Sequence, residues 1–421
     1  MPSAFLRASA GAVVVSAARA VSGLVVTKLI AVHAGPAGLA LVGQFQSFFA
    51  VASTLANGGV TNGVVKQVAQ RHGDPQARLG AFRYASLATL GVSVPVAIAT
   101  VLACDPISRT LFGTIDYSAI IAATGVLLPL LALGSTWMAG LNGLKAVGLL
   151  YSAQICISIA TLLAAVALVP IMGARGGMIA TVAGLSTASV VALALLSRTP
   201  LSSWFPSRSS FHSPHGRELW GFALMAIATS VTLPISQILI RDLITREVSL
   251  EAAGMWQGVT RVSEVYLSIF TTALSAHYLP TIAGIASRSR LAVEVRATLL
   301  SVLVLVAICA AAIYLLRDLV ITLVFTEAFR PMRDFFAWQL AGDVLRAAAW
   351  VFALLMVGRG RTVLFIGLEV GFAALWVLSS AALVPGLGVE GALLAYFIAY
   401  LAYLAGLLIY FRWEWRSGFA S

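Results

Sequence analysis

Residues 117–140 read YSAIIAATGVLLPLLALGSTWMAG, a run without a single charged side chain. At about 1.5 Å of rise per residue, a helix of that length crosses the roughly 30 Å of hydrocarbon in a bilayer. Similar runs recur on both sides of it, separated by polar or Gly/Pro punctuation. They fall at 10–33, 37–66, 80–103, 117–140, 146–169, 177–197, 219–244, 253–280, 296–316, 334–357, 362–384 and 391–411. The pattern predicts an all-α integral membrane protein of about twelve transmembrane helices. Composition agrees: of 421 residues, 60% are hydrophobic and 10% charged, with a mean hydropathy of +0.96. Soluble domains carry about 25% charged residues, so a soluble fold could not hide this much apolar surface. The apolar runs begin within the first dozen residues and nothing there resembles a small-residue cleavage site, so the first helix is expected to stay.

A net charge of +11 would suit nucleic acid if the basic residues formed one face. They are instead scattered singly among the connections, where they read as topological signals. With the N-terminus inside, the inner segments hold about twice as many Lys and Arg as the outer ones, among them Arg78, Arg198, Arg290 and Arg361. Several outer arginines, such as Arg241, Arg246 and Arg317, have an acidic neighbour. Both termini are therefore expected in the cytoplasm. The longest polar connector, with Pro200, Pro206 and Pro214, divides the spans six and six. The expected domains are an N-terminal lobe at 1–197, a cytoplasmic linker at 198–218 and a C-terminal lobe at 219–421 with a short cytoplasmic tail. Two such lobes suit transporters built from repeated halves. Lys28 ahead of Ala37-Gly38, and Arg241 ahead of Ala253-Gly254, hint at such a repeat.

Ionisable groups at bilayer depth cost a few kcal/mol or more and normally face protein or a watery cavity. Arg19 lies about 12 Å into the first span, too deep for easy snorkelling. Lys28 falls on the opposite face of that helix and either snorkels or lines a cavity, while Lys66 reads as a snorkelling charge at the end of span two. Gln257, Arg261, Glu264 and Ser268 form one stripe on span eight, and Gln339, Asp343, Arg346 and Trp350 form another on span ten. Within each stripe the acid and base are either a structural ion pair or ligands of a substrate or ion. Glu264, Asp343 and the more isolated Glu369 are the candidates for ion coupling, because a carboxylate at membrane depth changes protonation as a cavity floods or dries. Ser230, Gln237 and Arg241 share a face around Pro234; Gln46, Ser53 and Asn57 align on span two, where amides often serve only to join helices.

No catalytic constellation is visible. The five histidines, His212 and His215 among them, lack metal or triad spacing, and no P-loop pattern is present. The cysteines Cys104, Cys156 and Cys309 are odd in number and have no ligand partners nearby in sequence. No cofactor or metal is expected, and any driving force is an ion gradient or the substrate's own gradient.

The stretches NGVVKQVAQRHGDPQARLG (62–80), GMWQGVTRVSEVYLSIFTTAL (254–274), RPMRDFFAWQLAGDVLR (330–346) and LGVEGALLAYFIAYLAY (387–403) resemble the Wzx-type flippases. Within that group they are most similar to the O-antigen translocases and the lipid III flippases of enterobacterial common antigen. The likeness runs colinearly over nearly the whole chain. It implies the fold of the multidrug/oligosaccharidyl-lipid/polysaccharide exporter superfamily: twelve helices in two six-helix lobes around a central V-shaped cavity. It also implies a substrate of undecaprenyl-pyrophosphate-linked oligosaccharide, with the polymerase and chain-length machinery of the same pathway as possible partners. Family members line the cavity with basic residues, and Arg19, Arg241, Arg261 and Arg346 match such a lining here. Lys28, Asn57, Gln237 and Gln257 complete the expected substrate-binding set. A multidrug exporter of the same fold, or a membrane-embedded glycan polymerase or glycosyltransferase, remains as an alternative. The first would favour acidic and aromatic groups; the second would be expected to carry a large extramembrane loop, and the outer loop at 317–334 is short.

Overall fold

A computed structural model describes residues 2–70, 73–203, 216–285, 287–358 and 361–417. Most of the 198–218 linker, with Arg208, His212 and His215, lies outside these residues, as do Arg71 and Arg359. The described residues form helices and short connections, with no strand among them. In chain order they are α1 Pro2–Asn57, α2 Thr61–Gln70, α3 Pro75–Leu102, α4 Cys104–Phe112, α5 Ser118–Gly143, α6 Val147–Met172, α7 Ala174–Leu196 and α8 Gly216–Glu247. There follow α9 Leu250–Ala273, α10 Leu279–Gly284, α11 Arg288–Leu315, α12 Arg317–Val324, α13 Phe336–Gly358, α14 Thr362–Leu387 and α15 Val389–Ser417. Helix α1 is broken at Gly35 (φ 65°, ψ −167°). Pro36 follows, and its ring disfavours the α conformation in the residue before it, so two spans meet there at an angle. With α1 counted as two, twelve long helices result among the described residues.

Two expected boundaries move. The second span ends at Asn57 rather than 66: Gly58 and Gly59 take positive φ, and Lys66 sits on the separate short helix α2. Span eight ends at Ala273 and continues through a π turn at Leu274–Tyr278 into α10. Local caps account for other ends. The Asp74 carboxylate accepts from the amides of Gln76 (3.0 Å) and Ala77 (2.9 Å), with Pro75 at the first helical position, which satisfies the open end of α3. Ser249 caps α9 through Ala252 N–H at 3.1 Å. Helix α9 is interrupted by Gln257, Arg261 and Glu264.

The described residues pack as two compact units, one of Met1–Ala34 with Leu41–Ile238, the other of Gly35–Ala40 with Leu239–Ser421. The short segment after the break in α1 belongs to the second unit because it lies on α9: a Cβ on Gly254 would collide with the Pro36 carbonyl.

The two units repeat one plan. Helices α5 and α13 end at Gly143 and Gly358; α6 and α14 begin at Val147 and Thr362 and end at Met172 and Leu387; α7 and α15 begin at Ala174 and Val389. Each pair is 215 residues apart (358 less 143). The matching sequences are LVPIMGARGG from Leu168 and LVPGLGVEGA from Leu383. Gly173 and Gly388 both take φ near +57° (56° and 59°), a region that glycine alone enters cheaply. Each donates its N–H at 2.8 Å, to Val169 and Val384 respectively. Three residues on, a Cβ on Gly176 or Gly391 would strike the carbonyl of Leu168 or Leu383, so both hairpins are closed by backbone contact.

Lipid is as apolar as leucine, so close packing and polar contacts, rather than hydrophobic burial, join the helices. Gly134 meets Ser189 and Gly184 meets Thr161 at distances no side chain would fit. Ile159, Leu163, Val166 and Ile171 of α6 stay exposed, as a lipid-facing helix requires. In the most apolar 18-residue window of Glu327–Val357, which overlaps nearly all of α13, 61% of the residues are buried, against 11% for that of Gly148–Met172 in α6; α13 is thus an interior helix of its unit.

Candidate functional site

The interior of the second unit is organised around α13. Gln339, Asp343, Arg346 and Trp350 recur every three or four residues and share one face. Asp343 is fully buried and accepts three hydrogen bonds: from Tyr266 of α9 at 2.8 Å, from Tyr396 of α15 at 2.9 Å and from the Gln339 amide at 3.1 Å. The Tyr396 hydroxyl also accepts from Arg346 Nη1 at 3.3 Å, so the acid and base of the stripe are joined through a tyrosine. The Arg346 guanidinium lies 4.8 Å from the Trp350 ring and 5.9 Å from that of Tyr400, within cation–π range. Tyr396 and Tyr400 are 4.8 Å apart, and Phe372 packs on Tyr400 at 4.3 Å and Tyr403 at 5.5 Å. Tyr403 donates to Glu369 at 2.7 Å. A continuous polar and aromatic chain therefore runs from Asp343 to Glu369.

Two further pairs lie at α8 and α9. Arg241, 2% exposed, donates to the Gln257 amide oxygen at 2.5 Å and lies 5.4 Å from the Trp256 ring. Arg261 and Glu264 form an ion pair at 3.3 Å with side chains 31% and 33% exposed. They present a charged group of each sign at the surface of the unit, beside an exposed Ser268.

In the first unit Arg19 is exposed and Lys28 half-buried. Gln237 accepts from Ser47 at 3.4 Å. The Asn57 amide donates to Thr61 at 2.5 Å and accepts from Thr136 at 3.5 Å, which pairs with Thr89 at 2.9 Å. Asn57 also borders an open cavity of about 510 Å³ lined by α1, α2, α5, α6 and α7.

The structure thus brings together Asp343, Arg346 and Glu369 and pairs Arg241 with Gln257 and Arg261 with Glu264, all in the second unit, whereas Arg19 and Lys28 belong to the first. Tyr266, Tyr396, Tyr400 and Tyr403 were not singled out from the sequence, although YFIAYLAY at 396–403 shows the last three on one helical stripe. Among the described residues no cluster of His, Cys, Asp and Glu is arranged to hold a metal ion.

Residues 35–334 match the family model described as "Polysaccharide biosynthesis protein". The chain is 35% identical over 389 residues to proteins named "Lipid III flippase" from Escherichia coli (strain K12) and from Shigella flexneri, covering 91% of this chain and 92% of each relative. Among solved structures it resembles a multidrug resistance MATE family transporter of the MOP superfamily in its inward-facing conformation, with a TM-score of 0.78 at 15% identity over 94% of both chains. The outward-facing form of such a transporter gives 0.71, covering 98% of this chain and 95% of that one. These structures share the two-lobe, twelve-helix fold. With most of its length matched by the family model and nine-tenths of it aligned to these relatives, the chain belongs to the family of polysaccharide biosynthesis proteins.

Proposed function

We propose that this multi-pass membrane protein flips an undecaprenyl-pyrophosphate-linked oligosaccharide, lipid III or an O-antigen unit, from the cytoplasmic to the periplasmic leaflet of the inner membrane. The observation that carries this is the 35% identity, over nearly the full length, to proteins named lipid III flippases. Both termini face the cytoplasm in this scheme, and the flipped glycan is handed on to the polymerase and chain-length machinery.

The physics of the cargo supports the assignment. A pyrophosphate does not cross hydrocarbon bare, because desolvating a multiply charged group is prohibitive. It needs cationic, hydrated contacts while the polyprenyl tail stays in lipid. Arginine's planar fork suits phosphate oxygens. Arg19 is exposed and Arg261 partly so, and these two take the substrate-contacting role. Arg241 and Arg346, engaged by Gln257 and Tyr396, hold the second unit together. Asp343, tied by three donors, belongs to the same scaffold. Proton or cation coupling then falls to Glu369, beside Tyr403, and to Glu264.

Reconstitution in proteoliposomes with lipid-linked oligosaccharide tests the function, and Arg19 tests the site. Arg19→Lys keeps the charge without the fork and should reduce flipping partly; Arg19→Ala should reduce it much further at unchanged folded yield. Near-wild-type flipping by Arg19→Ala would remove Arg19 from the path. A wild-type protein that moves no lipid-linked glycan would end the proposal.

A further inference from the structure

We propose that the cavity inside the first unit is a binding site for an uncharged sugar ring of the transported glycan; this rests on the flippase function proposed above. Its volume of about 510 Å³ lies in the usual range of small-molecule sites, and none of the side chains lining it is ionisable. The pyrophosphate and any acidic sugar would find no counter-charge there.

The hydrogen-bonding character of the wall decides the ligand class. The Ser53 hydroxyl donates to the Ala50 carbonyl at 3.2 Å and the Ser135 hydroxyl to that of Ala132 at 2.8 Å, so both oxygens face the cavity as acceptors. The Gln154 amide oxygen is buried and accepts from no protein group among the described residues. Asn57 gives one amide hydrogen to Thr61 and keeps a second. A wall of acceptors with an occasional donor suits hydroxyl and acetamido groups, which themselves donate and accept. It disfavours a phosphate, which only accepts. Phe49 and Ile157 add apolar surface for the carbon face of a ring.

The hole is not imposed by the fold. In the 215-residue register Leu185, Ala188 and Gln154 stand where the second unit has Tyr400, Tyr403 and Glu369. There Phe372 packs on Tyr400 and Tyr403, and Tyr403 donates to Glu369 at 2.7 Å, whereas here leucine, alanine and glutamine border the cavity. The repeat therefore supplies its own test: Ala188→Tyr installs the counterpart side chain and fills the cavity, and Gln154→Leu removes the buried acceptor at similar size.

The full-length chain in phospholipid nanodiscs, free of sugar detergents, is titrated with N-acetylglucosamine, and saturation transfer to the acetyl methyl is read by NMR. The expected result is binding by wild type, weakened about tenfold in either variant by the loss of one buried hydrogen bond or of space, with inorganic pyrophosphate failing to compete. Flipping of lipid-linked oligosaccharide by the same variants should fall in parallel at unchanged melting temperature. Absent sugar binding by wild type, affinity unaltered in both variants, or displacement by pyrophosphate would each overturn the site. Should Ala188→Tyr not fold, Gln154→Leu decides alone. Gln154-dependent sugar binding by a wild-type protein that flips nothing would support the site while removing the flippase function.

Discussion

The hairpin of α6 and α7 and that of α14 and α15 turn through the same LVP-x-x-G-x-x-G stretch, with the same positive-φ glycine and the same carbonyl contact. What they enclose differs. Where Leu128 and Leu131 stand in α5, the second unit has Asp343 and Arg346 in α13; where Thr181, Leu185 and Ala188 line one face of α7, α15 carries Tyr396, Tyr400 and Tyr403. One unit keeps a neutral polar cavity at these positions, and its twin carries a charged, aromatic network there. The backbone plan thus constrains the turns and close approaches, where sterics leave no choice, while the interior side chains diverge freely as long as each unit satisfies its own polar groups.

The largest effect expected on this contrast comes from Asp343→Leu, which gives the second unit the residue of the first. It strands the hydroxyls of Tyr266 and Tyr396 and the Gln339 amide, at a cost of roughly 3 kcal/mol or more. Thermal unfolding should show a much lower midpoint and a reduced folded yield; unchanged stability would mean that Asp343 is not the keystone of its unit. A smaller change, and an equal one in the two units, is expected from Gly176→Val and Gly391→Val. Each forces a side chain against a carbonyl, costing about 1–3 kcal/mol. Melting shifts of the two that differ severalfold would show that the hairpins are alike in backbone only. The smallest stability change should follow exchange of Arg261 and Glu264 in the double variant Arg261→Glu with Glu264→Arg. A pair of this spacing, about one-third exposed, contributes about 0.2–0.5 kcal/mol, and the reversed pair survives. Flipping per folded molecule should nonetheless fall steeply if Arg261 meets the pyrophosphate; normal flipping would assign the pair to structure alone.

The legibility of the molecule varied by feature. Spans were readable because a bilayer admits only long apolar helices, and the stripes Gln257-Arg261-Glu264 and Gln339-Asp343-Arg346 stood out because lipid should have excluded them. The end of the second span was misplaced because Asn57, Gly58 and Gly59 are mild punctuation in an otherwise apolar run, and only the positive φ of both glycines marks the turn. The repeat lies in the LVP-x-x-G-x-x-G stretches, which are short and uncharged, rather than around Lys28 and Arg241.

The amino-acid sequence by itself determined a twelve-helix membrane protein, the resemblance to the Wzx-type flippases and the set of charged residues that require burial or water. The helices and the charged set follow from composition and period, and the resemblance from colinear stretches of sequence; none of these needs a tertiary contact. Only the tertiary structure decided which polar groups meet. Tyr396 joining Asp343 to Arg346 spans about fifty residues, and the Tyr266 bond to Asp343 spans seventy-seven. The cavity beside Asn57 likewise exists only where side chains from five helices meet around one volume. Such pairings depend on how helices dock, and helical periodicity carries no information about the partner a given face will find.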